Sequence, residues 1–456
     1  MSLPFILVNM AIALVIIMVM IMKLNINPVV SLFVGGMYVG IICNLGMAKT
    51  VSVFASGFGG TMTSLGISIG FGVIMGQLLS DAGGAHVIAK SMVSLFPKEK
   101  AIVALVLTSF FISIPVFFDV CLVIMIPIGY AVAKEIGAPR SLIACALVCG
   151  AGSAHSYVPP TPAPMAAAEQ LNFSMGDMII WGSLISLVAM FISLPIMYKV
   201  LWPQNGESKF FTEKDMDPDF VPIKAQDYSG KRLPPFGAAV LPIVLPVLLI
   251  LLDSTWGAVS ETKPDFVAFI GNKNVALLVG VFCAYLIAAT NMTKTEIKKS
   301  VNKALETCGV VLMVTGAGSA FGAVIRATGI GDLITAVVGT SASAVVPVLV
   351  ITYLVGVVMR VCMGSASSAG ISCLAIMAPV IASLPQVHPV YFAMAGLSGC
   401  NMIGLPNDSG FWISTNMNGF TITGGLKTYT VFGAIRAVTI LLLLIVLVNV
   451  FPMGAV

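Results

Sequence analysis

Charge is the scarcest property of this chain: among 456 residues, 23 are Lys or Arg and 19 are Asp or Glu, together 9%, against 58% hydrophobic residues. With a mean hydropathy of +1.04, so little charge excludes a soluble domain, because the apolar surface exceeds what one core can hide. Histidine is nearly missing too. His86, His155 and His388 stand too far apart for a helical pair of zinc ligands, so no metal is expected. The nine cysteines show neither a disulfide framework nor metal spacing, and most lie in apolar stretches where a thiol packs as a small hydrophobe. No basic patch suggests nucleic acid, and the net charge of +4 is spread over residues sorted by side of the membrane. HExxH does not occur, and Ser153 is poorly spaced from His155 for attack, which argues against a membrane-embedded hydrolase. Met1 to Met22 lacks a basic start and a small-residue cleavage site, so it is expected to stay as a first helix.

What the chain has in abundance is apolar runs. Stretches 4–22, 28–45, 178–198, 236–252, 274–290 and 430–451 each approach the ~20 residues that span a hydrocarbon core. Further helices are expected at about 60–93, 141–154, 304–337 and 389–404. The stretch 101–135 is apolar but interrupted by PVFFDV at 115–120, and 343–384 is interrupted at CMGSAS, 362–367. Each fits a re-entrant hairpin better than one helix, since Pro115 breaks the hydrogen-bond ladder of the first. Helices broken at VPPTPAP (158–164) and LPNDSGFW (405–412) follow the two hairpins.

The order is written twice. Gly70, Gly72, Gly76 and Gly83 recur as Gly316, Gly318, Gly322 and Gly329, and a shift of 247 lays Pro159 on Pro406. The glycines are expected to permit close helix crossing. Each copy crosses an odd number of times, so the expected fold is an all-α polytopic membrane protein with inverted repeats, two re-entrant hairpins and two broken helices. The first repeat is 1–202, with helices 1–100 before a hairpin and broken helix at 101–202. The second is 236–456, divided at 340/341, and 203–235, rich in Lys, Asp and Pro, is a solvated linker between them. Lys23, Lys90, Lys98, Lys134, Lys199, Lys294 and Lys427, with Arg140 and Arg436, fall on one side. By the positive-inside rule that side is cytoplasmic and both termini lie outside.

The four interruptions are expected to converge, each opening a half-helix whose positive N-terminus favours an anion. Irregular backbone at that depth requires a wet cavity. Arg360 either holds a substrate carboxylate or closes its helix and pairs with Asp119 or Asp408. Asp119 and Asp408 are proton-carrier candidates, while Asp408, in the run Asn407, Asp408, Ser409, also reads as a helix N-cap and Asp119 as a partner for Arg360. Gly364, Ser365, Ser367 and Ser368 offer hydroxyls and close backbone approach. His155 is placed to donate to a substrate hydroxyl or to serve as a satisfied helix-end residue, with Thr161 beside it in the break. Arg326 is expected to pair with Asp332 in a structural role.

At SDAGGAHVIA (80–89), IPVFFDV (114–120), HSYVPPTPAP (155–164), MRVCMGSAS (359–367) and NDSGFW (407–412) the chain resembles the gluconate:proton symporter (GntP) family of the ion transporter superfamily, over essentially its whole length. That resemblance implies proton-driven import of gluconate or a related sugar acid across a bacterial inner membrane, with glycerate or D-serine carried by some members. It also implies a homodimer working as an elevator, with scaffold and transport domains. Cys362 and Met363 depart from the more polar tip usual there, as do Ser156 and Tyr157 beside the histidine. A sodium-coupled carboxylate carrier and a passive anion channel are the alternatives.

Overall fold

A computed structural model describes residues 3–24, 26–203, 208–220, 232–259, 264–329, 344–406 and 408–453. Among the described residues the regular secondary structure is helical apart from an isolated bridge between Met216 and Phe420. The first half runs α1 (Leu3–Met18), α2 (Pro28–Ile42), α3 (Met47–Asp81), α4 (Gly84–Ser94), α5 (Ala101–Ile112), α6 (Phe118–Ile136), α7 (Arg140–Tyr157), α8 (Pro162–Gln170) and α9 (Met175–Leu201). The second half runs α10 (Phe236–Val259), α11 (Asp265–Gly271), α12 (Lys273–Asn291), α13 (Lys294–Ala327), α14 (Val345–Met363), α15 (Ala366–Ile381), α16 (Pro389–Gly399), α17 (Ser409–Asn418) and α18 (Ile422–Val450). Helices α3 and α13 begin 247 residues apart, and so do α8 and α17, and α9 and α18.

Local chemistry sets the ends. Asn27 accepts from Val29 N at 2.9 Å ahead of Pro28, a residue preorganised for the first helical turn. Thr293 and Glu296 form a capping box that starts α13. Gly83 and Gly329 both take φ +76°, a left-handed turn at the end of each long helix that a side chain would strain. Those two glycines are therefore turn residues. The crossing role expected of the set falls to others: a Cβ on Gly76 would lie 2.3 Å from Pro115 O, and one on Gly322 would lie 2.2 Å from the Ala375 methyl.

α3 and α13 pack along one another over much of their length; the second hairpin leans on α13 through α15, and the tip of the first meets α3 at Gly76. Outer faces stay apolar: Val8, Leu248, Phe282, Leu286 and Val446 are all more than half exposed, as lipid-facing positions require. Among the described residues, eight helices are long and apolar enough to cross a membrane. The arm α5, 12 residues, is only ~18 Å long and falls short of the ~30 Å hydrocarbon core.

Four differences from the sequence reading have physical causes. α3 starts at Met47, well before 60, because packing against α13 overrides the weak helix propensity of the Gly-, Ser- and Thr-rich segment. Gly83 divides the expected 60–93 helix in two. α11 is a short helix that the polar run before 272 concealed, and the expected extension of α13 through 330–337 lies outside the described residues.

The linker is the fourth. Residues 208–220 are laid on the helices instead of standing free in solvent. Phe211 meets Phe420 edge to face at 5.0 Å, Asp217 N donates to Gly419 O at 2.8 Å, and buried Asp215 accepts from Lys427 Nζ at 2.8 Å. Burial pushes the Asp215 carboxyl up, but hydrogen bonds from Lys427 and Thr212 more than offset it and hold it below its ordinary value of 3.8. A carboxyl depressed in the folded state stabilises it at neutral pH and loses that contribution as pH falls through the acid range below about 4. Asp215→Ala is therefore expected to cost about 1 kcal/mol. It should also remove the acid-induced increase in hydrogen exchange of 208–220, and an increase of the same size in the variant would contradict the assignment.

Candidate functional site

All four interruptions line one cavity of about 410 Å³. Phe117, Phe118 and Asp119 come from the break between α5 and α6, and His155, Ser156 and Pro162 from the break between α7 and α8. Arg360, Met363, Ser365, Ser367 and Ser368 come from the α14–α15 tip, and Asn401, Asp408 and Gly410 from the α16–α17 break. A wall from α13, including Thr307, Val310 and Thr315, faces them. α6, α8, α15 and α17 each begin beside the cavity, so four helix N-termini supply partial positive charge around one volume.

The second tip is tighter than the CMGSAS run, 362–367, read from the sequence. α14 continues to Met363, Gly364 (φ +71°) stops it, and Ser365 caps α15 by accepting from Ser368 N at 3.4 Å. Asp408 caps α17, accepting from Gly410 N at 3.1 Å, so the N-cap reading of that residue holds. It also accepts from Tyr429 Oη at 2.6 Å and forms a direct ion pair with Arg360. The remaining Arg360 donors go to Gly364 O and, at 3.3 Å, Ile403 O. The arginine is 2% exposed, and its pair with Asp408 ties the second hairpin to the second broken helix. Between its two sequence-level partners the structure selects Asp408; Asp119 sits in the first turn of α6 on the same cavity.

His155 lies against Phe117, ring centroids 5.7 Å apart, with a buried Nδ1 that has no hydrogen-bond partner among the described residues. That is not the satisfied helix-end histidine. Thr161 is next to the main volume but outside its lining, donating to Val158 O at 2.8 Å. Gly364 contributes its carbonyl to Arg360. Asn407 and the side chain of Ser409 lie outside the described residues. Arg326 donates to Ala375 O at 3.0 Å, and Asp332 lies outside the described residues.

Sequence reasoning missed Tyr429, Asn401 and Arg436. Arg436, placed with the cytoplasmic charges, is 4% exposed and lines the cavity. A signal existed: it lies nine residues past Lys427, ~13 Å deeper along a helix.

Hairpins and broken helices gathered round a cavity that holds charged and hydroxyl side chains, inside helices with apolar outer faces, define a multi-pass membrane transporter. The profile described as GntP family permease matches residues 5–451, and the chain belongs to that family of permeases, which are not enzymes. It is 28% identical to an uncharacterized permease of Haemophilus influenzae (91% of this chain, 86% of the relative) and 27% identical to a gluconate permease of Pseudomonas aeruginosa (90% of each). It is also 28% identical to the D-serine transporter DsdX of Escherichia coli (88% of this chain, 89% of the relative). Among solved structures it resembles the Alcanivorax borkumensis YdaH transporter at a TM-score of 0.57 and 16% identity over 90% of each chain, a likeness of fold alone.

Proposed function

We propose that this permease is a proton-coupled symporter that imports a small organic hydroxy acid anion, gluconate or a related sugar acid, across a bacterial inner membrane. The observation that carries the reading is the convergence of four half-helix N-termini and two buried arginines on one cavity, an environment that stabilises an anion. Ser365, Ser367, Ser368, His155 and Asn407 are the proposed contacts for hydroxyls, and Arg360 frames the anion side. Asp119 is the proposed proton carrier, because Asp408 is committed to Arg360, Tyr429 and Gly410. In this reading the halves are inverted repeats, and the hairpins and broken helices move as an elevator against scaffold helices 1–100 and 236–340. Two copies form a homodimer with termini in the periplasm.

Uptake of labelled gluconate into liposomes tests it. An imposed inward proton gradient should drive accumulation, a protonophore should abolish it, and removal of sodium should leave it unchanged. Accumulation that needs sodium and ignores the protonophore would establish the sodium-coupled alternative, and flux without dependence on either gradient would establish a channel. Similarity to a D-serine transporter supports a second cargo class, decided by competition between D-serine and gluconate in the same vesicles.

A further inference from the structure

The two arginines on the cavity wall are not in equivalent electrostatic states. Arg360 has a carboxylate, Asp408, against its guanidinium. Arg436 has none among the described residues. Its hydrogen bonds run from Nη1 to neutral acceptors, Cys149 O at 3.0 Å, Val148 O at 3.5 Å and Ser153 Oγ at 3.4 Å, while Nε is buried without a partner among the described residues. A permanently charged guanidinium held away from water calls for a counter-charge. The guanidinium packs directly on the bare backbone of Gly152, which also lines the cavity: a Cβ there would stand 2.7 Å from Nη1 and 3.1 Å from Nη2. A side chain at 152 would displace the guanidinium from its place on the cavity wall.

We propose that Arg436, on the cavity wall beside Gly152, binds the carboxylate of the cargo, while Arg360 serves the internal pair with Asp408. This rests on the reading of the cavity as the cargo site. The chemical class it selects is a small monocarboxylate with its hydroxyls directed toward the serine tip; an uncharged analogue of the same shape lacks the group that the guanidinium needs.

The test is equilibrium binding of labelled gluconate to the purified full-length protein, with unlabelled gluconate and gluconamide as competitors, for wild type, Arg436→Gln, Arg436→Lys and Gly152→Ala. Wild type should prefer gluconate over gluconamide strongly. Arg436→Gln should bind gluconate on the order of 100-fold more weakly and lose the preference for the anion, a ratio that a purely structural defect would not collapse. Arg436→Lys should keep the preference at reduced affinity, and Gly152→Ala, with the charge intact, should weaken gluconate roughly tenfold. If Arg436→Gln does not fold, Gly152→Ala decides: unchanged affinity and preference overturn the proposal. Normal binding and preference in Arg436→Gln overturn the arginine's role alone. Failure of wild type to bind gluconate, glycerate or D-serine overturns the reading of the cavity and the proposal with it.

Discussion

Arg360→Gln should destabilise the protein by about 3–5 kcal/mol and reduce uptake to background. The substitution removes the counter-charge from a buried aspartate that is 8% exposed and already committed to capping α17. It also removes the donors that reach Gly364 O and Ile403 O, so the hairpin tip loses its attachment to the second broken helix. Asp408→Asn should produce a comparable loss for the mirror reason: asparagine can still cap Gly410 N but leaves the guanidinium unpaired in the same cluster. The double variant Arg360→Gln/Asp408→Asn carries no stranded charge and should melt well above what the sum of the single losses allows. Strict additivity of the three melting shifts would show that the pair does not act as a unit.

Asp119→Asn should have the opposite profile, intact folding with a selective loss of coupling. Asp119 stands at the start of α6, and its conversion to an amide changes charge with little change in shape. Accumulation driven by an imposed pH gradient should fall at least about 100-fold, matching the loss of ~2.7 kcal/mol of driving force, while exchange of internal for external gluconate stays within about threefold. The decisive comparison is between those two assays on the same vesicles. If the variant still accumulates gluconate under a proton gradient, Asp119 is not the carrier, and the assignment passes to another group on the cavity.

The parts of this account that were legible in the sequence are those written in backbone chemistry. Pro115, the Pro159–Pro164 run and Asp408 mark where helices must break or begin, and the structure breaks or begins them there. The glycine spacing exposed the duplication, although it assigned Gly83 and Gly329 to helix crossing when their positive φ makes them turns. The second tip was drawn too wide because CMGSAS has no proline, and only the conformation of Gly364 stops the helix. Contacts between distant segments were not legible. Nothing local tells Arg360 to choose Asp408 over Asp119, or lays Phe211 against Phe420 across more than 200 residues. Arg436 illustrates the same limit: a lone cation near the end of an apolar helix reads as interfacial until its partners on α7 are known.

The most direct test of the central claim, that the meeting point of the four breaks holds the cargo, is substrate protection at the second tip. Ser367 is half-buried and lines the cavity, whereas the native cysteines other than Cys283, among those described, are buried. In Ser367→Cys, modification by a small charged methanethiosulfonate reagent should block uptake, and saturating gluconate should slow that modification at least about tenfold. Modification at the same rate with and without gluconate, in a protein that still transports it, would place the cargo elsewhere.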